Sequence, residues 1–144
     1  MIALGCDGAG FALMQEVKAY LDSKNIKYTD HGAFDEGRVD YPVYAHKVAR
    51  AILSGEATKG ILVCGSGIGI SIAANRFKGI RCALVHDVFS AKSTRDHNDS
   101  NILAMGGWVI GKGLAIEIVD TWLNTEFSKI DRHQNRIDMI DAQA

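Results

Sequence analysis

The stretch Gly60-Ile61-Leu62-Val63-Cys64-Gly65-Ser66-Gly67-Ile68-Gly69-Ile70-Ser71-Ile72-Ala73-Ala74-Asn75 constrains this chain more than any other. It begins as an aliphatic and β-branched run, the composition of a strand buried on both faces of a parallel sheet. The run stops at Cys64, and three glycines then alternate with Ser66 and Ile68. From Ile70 the pattern turns helical, with Ile72, Ala73 and Ala74 available for one packed face. Strand, glycine loop and helix in that order build an anion-binding nest, because successive backbone N–H groups and the helix N-terminus point at one spot. A thiol at the lip of such a nest has a chemical use, since a helix N-terminus favours the thiolate, a base or nucleophile. The plainer alternative is that Cys64 only ends a buried strand, because unpaired cysteine is among the most buried residue types. Neither G-x-x-x-x-G-K-S/T nor G-x-G-x-x-G occurs, so the familiar nucleotide loops are not matched.

The rest of the chain repeats the alternation. Residues 2–6 read as a first buried strand and residues 7–10 as the turn after it. Leu13, Met14, Val17 and Leu21 give residues 11–24 the spacing of an amphipathic helix. Residues 26–30 form a second strand, and the polar segment 35–40 a surface loop. Tyr41-Pro42 then starts a helix with proline in its first turn, turning Val43, Ala45, Val48, Ala49, Ile52 and Leu53 inward. Residues 80–86 are a fourth strand, 87–95 a short helix, 97–101 a dense polar loop and 102–105 a fifth strand. Helices over 114–123 and 130–144 complete the chain. Strands alternating with helices at this spacing predict right-handed βαβ crossovers and one parallel five-stranded sheet covered on both faces. Ligands of such sheets sit outside the carboxyl ends of the strands. Chain position places Asp7, His31, Cys64, Ser66, His86 and the segment from His97 to Asp99 at that edge.

Composition narrows the partners. The 144 residues, 47% hydrophobic, make a single domain, residues 1–144, able to bury its own core. A net charge of -1 offers no basic field for nucleic acid. Three cysteines do not form a disulfide framework, and no Cys/His spacing matches a metal site, so a metal-free protein of the cytoplasm is expected. Cys6 and Cys82 read as core residues. The amino terminus has no basic n-region, and the uncharged 60–75 stretch falls short of the ~20 residues that span a bilayer, so no membrane partner is expected.

If the nest binds an anion that develops during reaction, an enediolate fits, with preorganised backbone donors as the main electrostatic contribution. Cys64 would then move a proton between adjacent carbons of a sugar, first as base and then as acid. Sugar rings must also be opened, for which His97 and Ser66 are candidates. Phosphate is held well by guanidinium forks. Arg132 and Arg136, four residues apart, share one face of the last helix, which serves equally as an ordinary solvated face.

The segments Gly5-Cys6-Asp7, Asp40-Tyr41-Pro42, Cys64 through Asn75, Gly79-Ile80-Arg81, Ser90-Ala91, Arg95-Asp96-His97-Asn98-Asp99 and Arg132-His133-Gln134-x-Arg136 resemble the type B ribose-5-phosphate isomerases. That family includes galactose-6-phosphate isomerase subunits and allose- and tetrulose-phosphate isomerases. The resemblance runs in order along nearly the whole chain. It implies a Rossmann-like three-layer α/β fold, an enediol mechanism without cofactor or metal, and a homodimer, sometimes paired into a tetramer. It also implies an active site at the subunit interface, where the C-terminal helix of one subunit reaches its partner's site. By position, Cys64 is the enediol base, and Gly65, Ser66, Gly67, Ile68 and Gly69 hold the enediolate oxygens. Ser66 stands where the family usually has threonine. His97 opens the ring, Asn98 contacts a sugar oxygen, Asp7 and Tyr41 line the pocket, and Arg132 and Arg136 take the phosphate. Two positions depart from the pattern. Gly8 stands where ribose-type members carry a histidine near the phosphate, which implies a larger or differently shaped pocket, and Trp108 lies in a segment where many relatives have an arginine. Ribose 5-phosphate and ribulose 5-phosphate are the default pair. A tetrose or hexose phosphate, or a non-catalytic phosphate-binding subunit, are the alternatives, and His31, His86 and His133 receive no role.

Overall fold

In the computed structural model, which describes residues 1–143, these runs become β1 (Ile2–Cys6), α1 (Phe11–Ser23), β2 (Tyr28–Asp30), α2 (Tyr41–Leu53), β3 (Lys59–Cys64), α3 (Ile68–Ala74), β4 (Cys82–Leu84), α4 (Val88–Asn98), β5 (Ile102–Gly106), α5 (Lys112–Leu123) and α6 (Asp131–Gln143). All strand pairings are parallel, in the order β2-β1-β3-β5-β4. The chain leaves β1 toward β2 on one side and returns to place β3 on the other. The switch point therefore lies between β1 and β3, whose carboxyl ends carry Asp7 and Cys64.

Alternation along β3 assigns its side chains to two cores. Ile61 and Val63 join Leu13, Met14, Val17, Ile118 and Trp122 under α1 and α5, whereas Leu62 and Cys64 join Ala45, Val48, Ile70 and Ala74 under α2 and α3. Both faces of the strand are buried, which is why its sequence is apolar without a break. No helix among the described residues is long and apolar enough to cross a membrane.

Several sequence expectations move. The helix after the glycine loop starts at Ile68, two residues early, and turns Ile72 to solvent while Ile70, Ala73 and Ala74 pack. Val43 and Leu53 of α2 are also exposed, because its buried stripe is the alanine-rich line Ala45, Val48, Ala49 and Ala51. The fourth strand shrinks to three residues at the sheet edge. The polar segment from His97 is not all loop. Helix α4 runs on through Asn98 and stops at Asp99, whose left-handed φ of 46° reverses the chain.

Candidate active site

Cys64 is the last residue of β3, level with Gly106 on β5 and one residue beyond Val63, which pairs with Cys6 on β1. It is 4% exposed, and its Sγ accepts a hydrogen bond from the Gly67 N–H at 3.2 Å, so the sulfur faces the glycine loop above it. Gly67 has φ 77°, and a Cβ there would lie 2.7 Å from the Met105 carbonyl carbon, so only glycine makes this turn without strain. Ser66 Oγ accepts the N–H of Ile68 at 3.1 Å and fixes the start of α3. The N–H groups of Gly65, Ser66, Gly69 and Ile70 meet no acceptor among the described residues, which leaves four donors in the loop that follows Cys64. The Tyr41 ring packs on Gly69, where a Cβ would come within 2.5 Å of it. Cys64, Ser66, Gly67, Ile68, Gly69 and Tyr41 are thus brought together.

The wall of the site is built by the turns after β1 and β5. Asp7 Oδ1 accepts the Gly10 N–H at 2.9 Å, which ties the carboxylate to the first turn of α1. Gly107 N–H donates to the Cys64 carbonyl at 2.8 Å and Trp108 N–H to that of Gly65 at 3.0 Å, locking the second turn against the loop. The Trp108 indole lies over Gly65 yet stays 80% exposed. Between these turns and the 35–39 loop opens a cavity of about 630 Å³, lined by Asp7, Gly8, Arg38, Val39 and Trp108 among others. Beside Gly8 the pocket takes its shape from loop backbone. A Cβ on Gly8 would sit 2.1 Å from the Gly37 carbonyl oxygen, so loop backbone fills that place. Arg38 is the one cation among the described residues lining the cavity. Sequence reading passed over it as surface loop. Its only advance signal was a lone arginine two residues before Asp40-Tyr41-Pro42.

His97, Asn98, Arg132 and Arg136 do not join this group. Helix α4 runs antiparallel to the strands, so its last turn lies at the amino end of the sheet, where the Gly60 N–H meets the Asn101 carbonyl at 2.8 Å. Strand β3 separates that end from Cys64 by about 16 Å at the rise of a parallel strand. Placing the segment from His97 to Asp99 at the carboxyl edge is therefore corrected. There the His97 ring stacks on His133 with centroids 4.4 Å apart, while Ser128 Oγ lies 2.7 Å from His133 Nδ1. Burial, with His97 and Arg132 close by, holds His133 below the ordinary imidazole range. On α6, His133 and Ile137 face inward, which leaves Arg132 and Arg136 exposed on the neighbouring stripe without ion pairs among the described residues.

Two further histidines have structural surroundings. His86 Nε2 accepts the Gly106 N–H at 2.8 Å and so holds the end of β5 beside Cys64; burial lowers its basicity. His31 keeps a buried Nε2 without a partner among the described residues. Of the other thiols, Cys6 donates to the Ala33 carbonyl at 3.6 Å and is pushed up to about 12 by burial, and half-buried Cys82 is also raised by burial.

Residues 2–140 match the family described as Ribose/Galactose Isomerase. The chain is 47% identical over 141 residues to ribose-5-phosphate isomerase B of Escherichia coli, covering 98% of this chain and 94% of that one. It is 42% identical over 127 residues to a D-erythrulose-4-phosphate isomerase of Pectobacterium atrosepticum, covering 88% and 84%. A crystal structure of a ribose 5-phosphate isomerase from Thermotoga maritima superposes with a TM-score of 0.96 at 51% identity, covering 98% and 97%.

Proposed function

The chain belongs to the ribose/galactose isomerase family and is an aldose–ketose isomerase of a phosphorylated sugar; we propose ribose 5-phosphate and ribulose 5-phosphate as its substrate pair. The observation that carries the mechanism is the Cys64 sulfur held toward the loop by the Gly67 N–H, with unbonded loop amides alongside. As a thiolate, Cys64 takes the proton from C2 of the open-chain aldose. The C2–H electron pair forms the C1–C2 double bond, and the carbonyl π pair moves onto O1. The N–H groups of Ser66, Gly69 and Ile70 stabilise this enediolate, and a proton passes from O2 to O1. The thiol then returns its proton to C1, which yields the ketose. Before that, His97 with Ser66 opens the furanose ring. Asn98 contacts a sugar oxygen, and Asp7 and Tyr41 bound the sugar. Arg132 and Arg136 hold the phosphate, joined by Arg38, which offers a cation where Gly8 and Trp108 withhold one.

These roles lie at two ends of the sheet, so a complete site needs a second copy whose amino-end cluster meets this chain's Cys64. Ile68 and Ile72, one turn apart on α3, are exposed together with Leu84 and Phe89 near the loop, an apolar surface such a partner would cover. A homodimer is the smallest assembly with this property; a tetramer pairs two of them.

A four-carbon substrate is the second reading. The Trp108 indole and the Glu36–Gly37 backbone take up space in the wall of the cavity, and one relative is named for erythrulose 4-phosphate. The test is a panel of tetrose, pentose and hexose phosphates in heavy water. Deuterium should enter C2 of the aldose and C1 of the ketose for ribose and ribulose 5-phosphate, and Cys64→Ala should remove it, a loss of about 10²–10⁴-fold. Uptake confined to a tetrose phosphate would replace the substrate, and uptake unchanged in Cys64→Ala would overturn the base.

A further inference from the structure

We infer that Arg81 is a positioning residue for ring opening: its guanidinium holds the turn that presents His97 and Asn98 and joins it to the helix bearing Arg132 and Arg136. This rests on the reading of His97 given above. The backbone of Arg81 is itself fixed. Its N–H donates to Asn101 Oδ1 at 2.8 Å, and its carbonyl accepts from the Asn101 N–H at 3.0 Å. From that base all three guanidinium nitrogens are engaged. Nε donates to the Asn98 carbonyl, Nη2 to the Asp99 carbonyl and Nη1 to Asp141 Oδ2 on α6, each at 3.0 Å. The side chain is 16% exposed and borders a second cavity, of about 630 Å³, together with Asn98 and Asp141.

The Asn98 and Asp99 carbonyls belong to the end of α4, where a helix has no internal donors left, and a cation there also complements the helix dipole. Reaching two successive carbonyls and a carboxylate on a different helix requires the planar fork of arginine; an ammonium presents its donors from one point. The fold does not need Arg81 to close this turn. Buried Arg95 already does so, donating from Nη1 to Asp99 Oδ1 at 2.8 Å and to the Ser100 carbonyl at 2.7 Å, and from Nε to the Thr125 carbonyl at 3.1 Å. What Arg81 adds is the link from the turn to α6, hence the relative placement of the ring-opening and phosphate groups.

A chemical asymmetry of the substrates isolates this role. Ribose 5-phosphate is mostly a closed furanose and must be opened. Ribulose 5-phosphate cannot close a five-membered ring, because the oxygen that would attack its carbonyl is esterified. Exchange of solvent deuterium at C1 of the ketose therefore needs Cys64 and the loop but no ring opening. In Arg81→Met, kcat on ribose 5-phosphate should fall about 10–100-fold, the scale of an ångström of misplacement, while exchange at saturating ribulose 5-phosphate changes less than about threefold. Arg81→Lys, which keeps the charge without the fork, should fall with Arg81→Met; full activity in Arg81→Lys would overturn the assignment. Equal losses in both reactions, or none in either, would also overturn it. Should the wild-type protein exchange no deuterium with any sugar phosphate, the proposed reaction fails by itself. Arg81 is then judged by NMR, where the ring signals of His97 and His133 should shift in Arg81→Met while those of His86, at the other end of the sheet, stay put. Unmoved His97 signals would refute the link.

Discussion

The two ends of the sheet solve different problems with different materials. At the carboxyl end, Cys64, Gly65, Gly67 and Gly69 are held by main-chain contacts, buried strands and close approaches that admit no larger residue. At the amino end, His97, Asn98, Arg132 and Arg136 are side chains standing in solvent on helices α4 and α6. The first set is preorganised within one chain and costs nothing to arrange when substrate arrives. On the proposed reading, the second is completed by another subunit. On the roles proposed above, proton transfer rests on the fold of a single subunit, and ring opening and phosphate recognition rest on assembly.

The sharpest way to break that contrast is to disable each end separately. Cys64→Ala and His97→Ala should each lack turnover on ribose 5-phosphate. Mixed under conditions that exchange subunits, they should recover about a quarter of wild-type activity, since half the dimers are hybrids with one intact site of two. No recovery, with exchange verified by mass spectrometry of differently tagged chains, would place both residues in one subunit's site.

A smaller effect separates the two sources of positive charge. Arg136→Ala should raise KM about 10–100-fold with little change in kcat, because it removes binding shared by substrate and transition state. Arg38→Ala, acting from a single exposed side chain, should raise KM by less than about tenfold. A pure kcat loss in either would move that arginine from phosphate binding to chemistry.

Smallest is the response to acid, which both ends share. His86 and His133 are each held below the ordinary imidazole value of 6.5, first of all by burial. Between that value and their native ones, the unfolded chain takes up protons that the native state refuses. Stability should hold steady above pH 6.5 and decline below it, a trend read from Tm across pH. His86→Gln should blunt the decline, and a Tm rising with acidity would contradict the burial of both rings.

Much of this was legible in local sequence. The β3 run and the stripe of Leu13, Met14, Val17 and Leu21 each report their own environment and took the expected structure, and the alternating glycines made the expected turn into a helix that starts two residues early. What escaped depended on distant parts of the chain. Helix α4 is mostly polar, so nothing in its hydropathy revealed that it continues to Asn98; Arg81 and Arg95, gripping its end from outside and within, decide that. Arg38 enters the cavity because the Gly37 carbonyl rests on Gly8, a pairing 29 positions apart that no spacing rule announces. The separation of His97 from Cys64 follows from helix direction, which appears only once the crossovers are drawn.

The Trp108 indole, lying over Gly65 in open solvent, has an optical consequence. The only other tryptophan, Trp122, is wholly enclosed and bonded through Nε1 to Ser100. Their emission should differ in colour and in quenching by iodide, the enclosed ring blue and protected, the open one red and quenchable. Any molecule settling against the glycine loop, or a second chain closing over it, dims or shifts one of the two lamps alone, so occupancy is readable without a label.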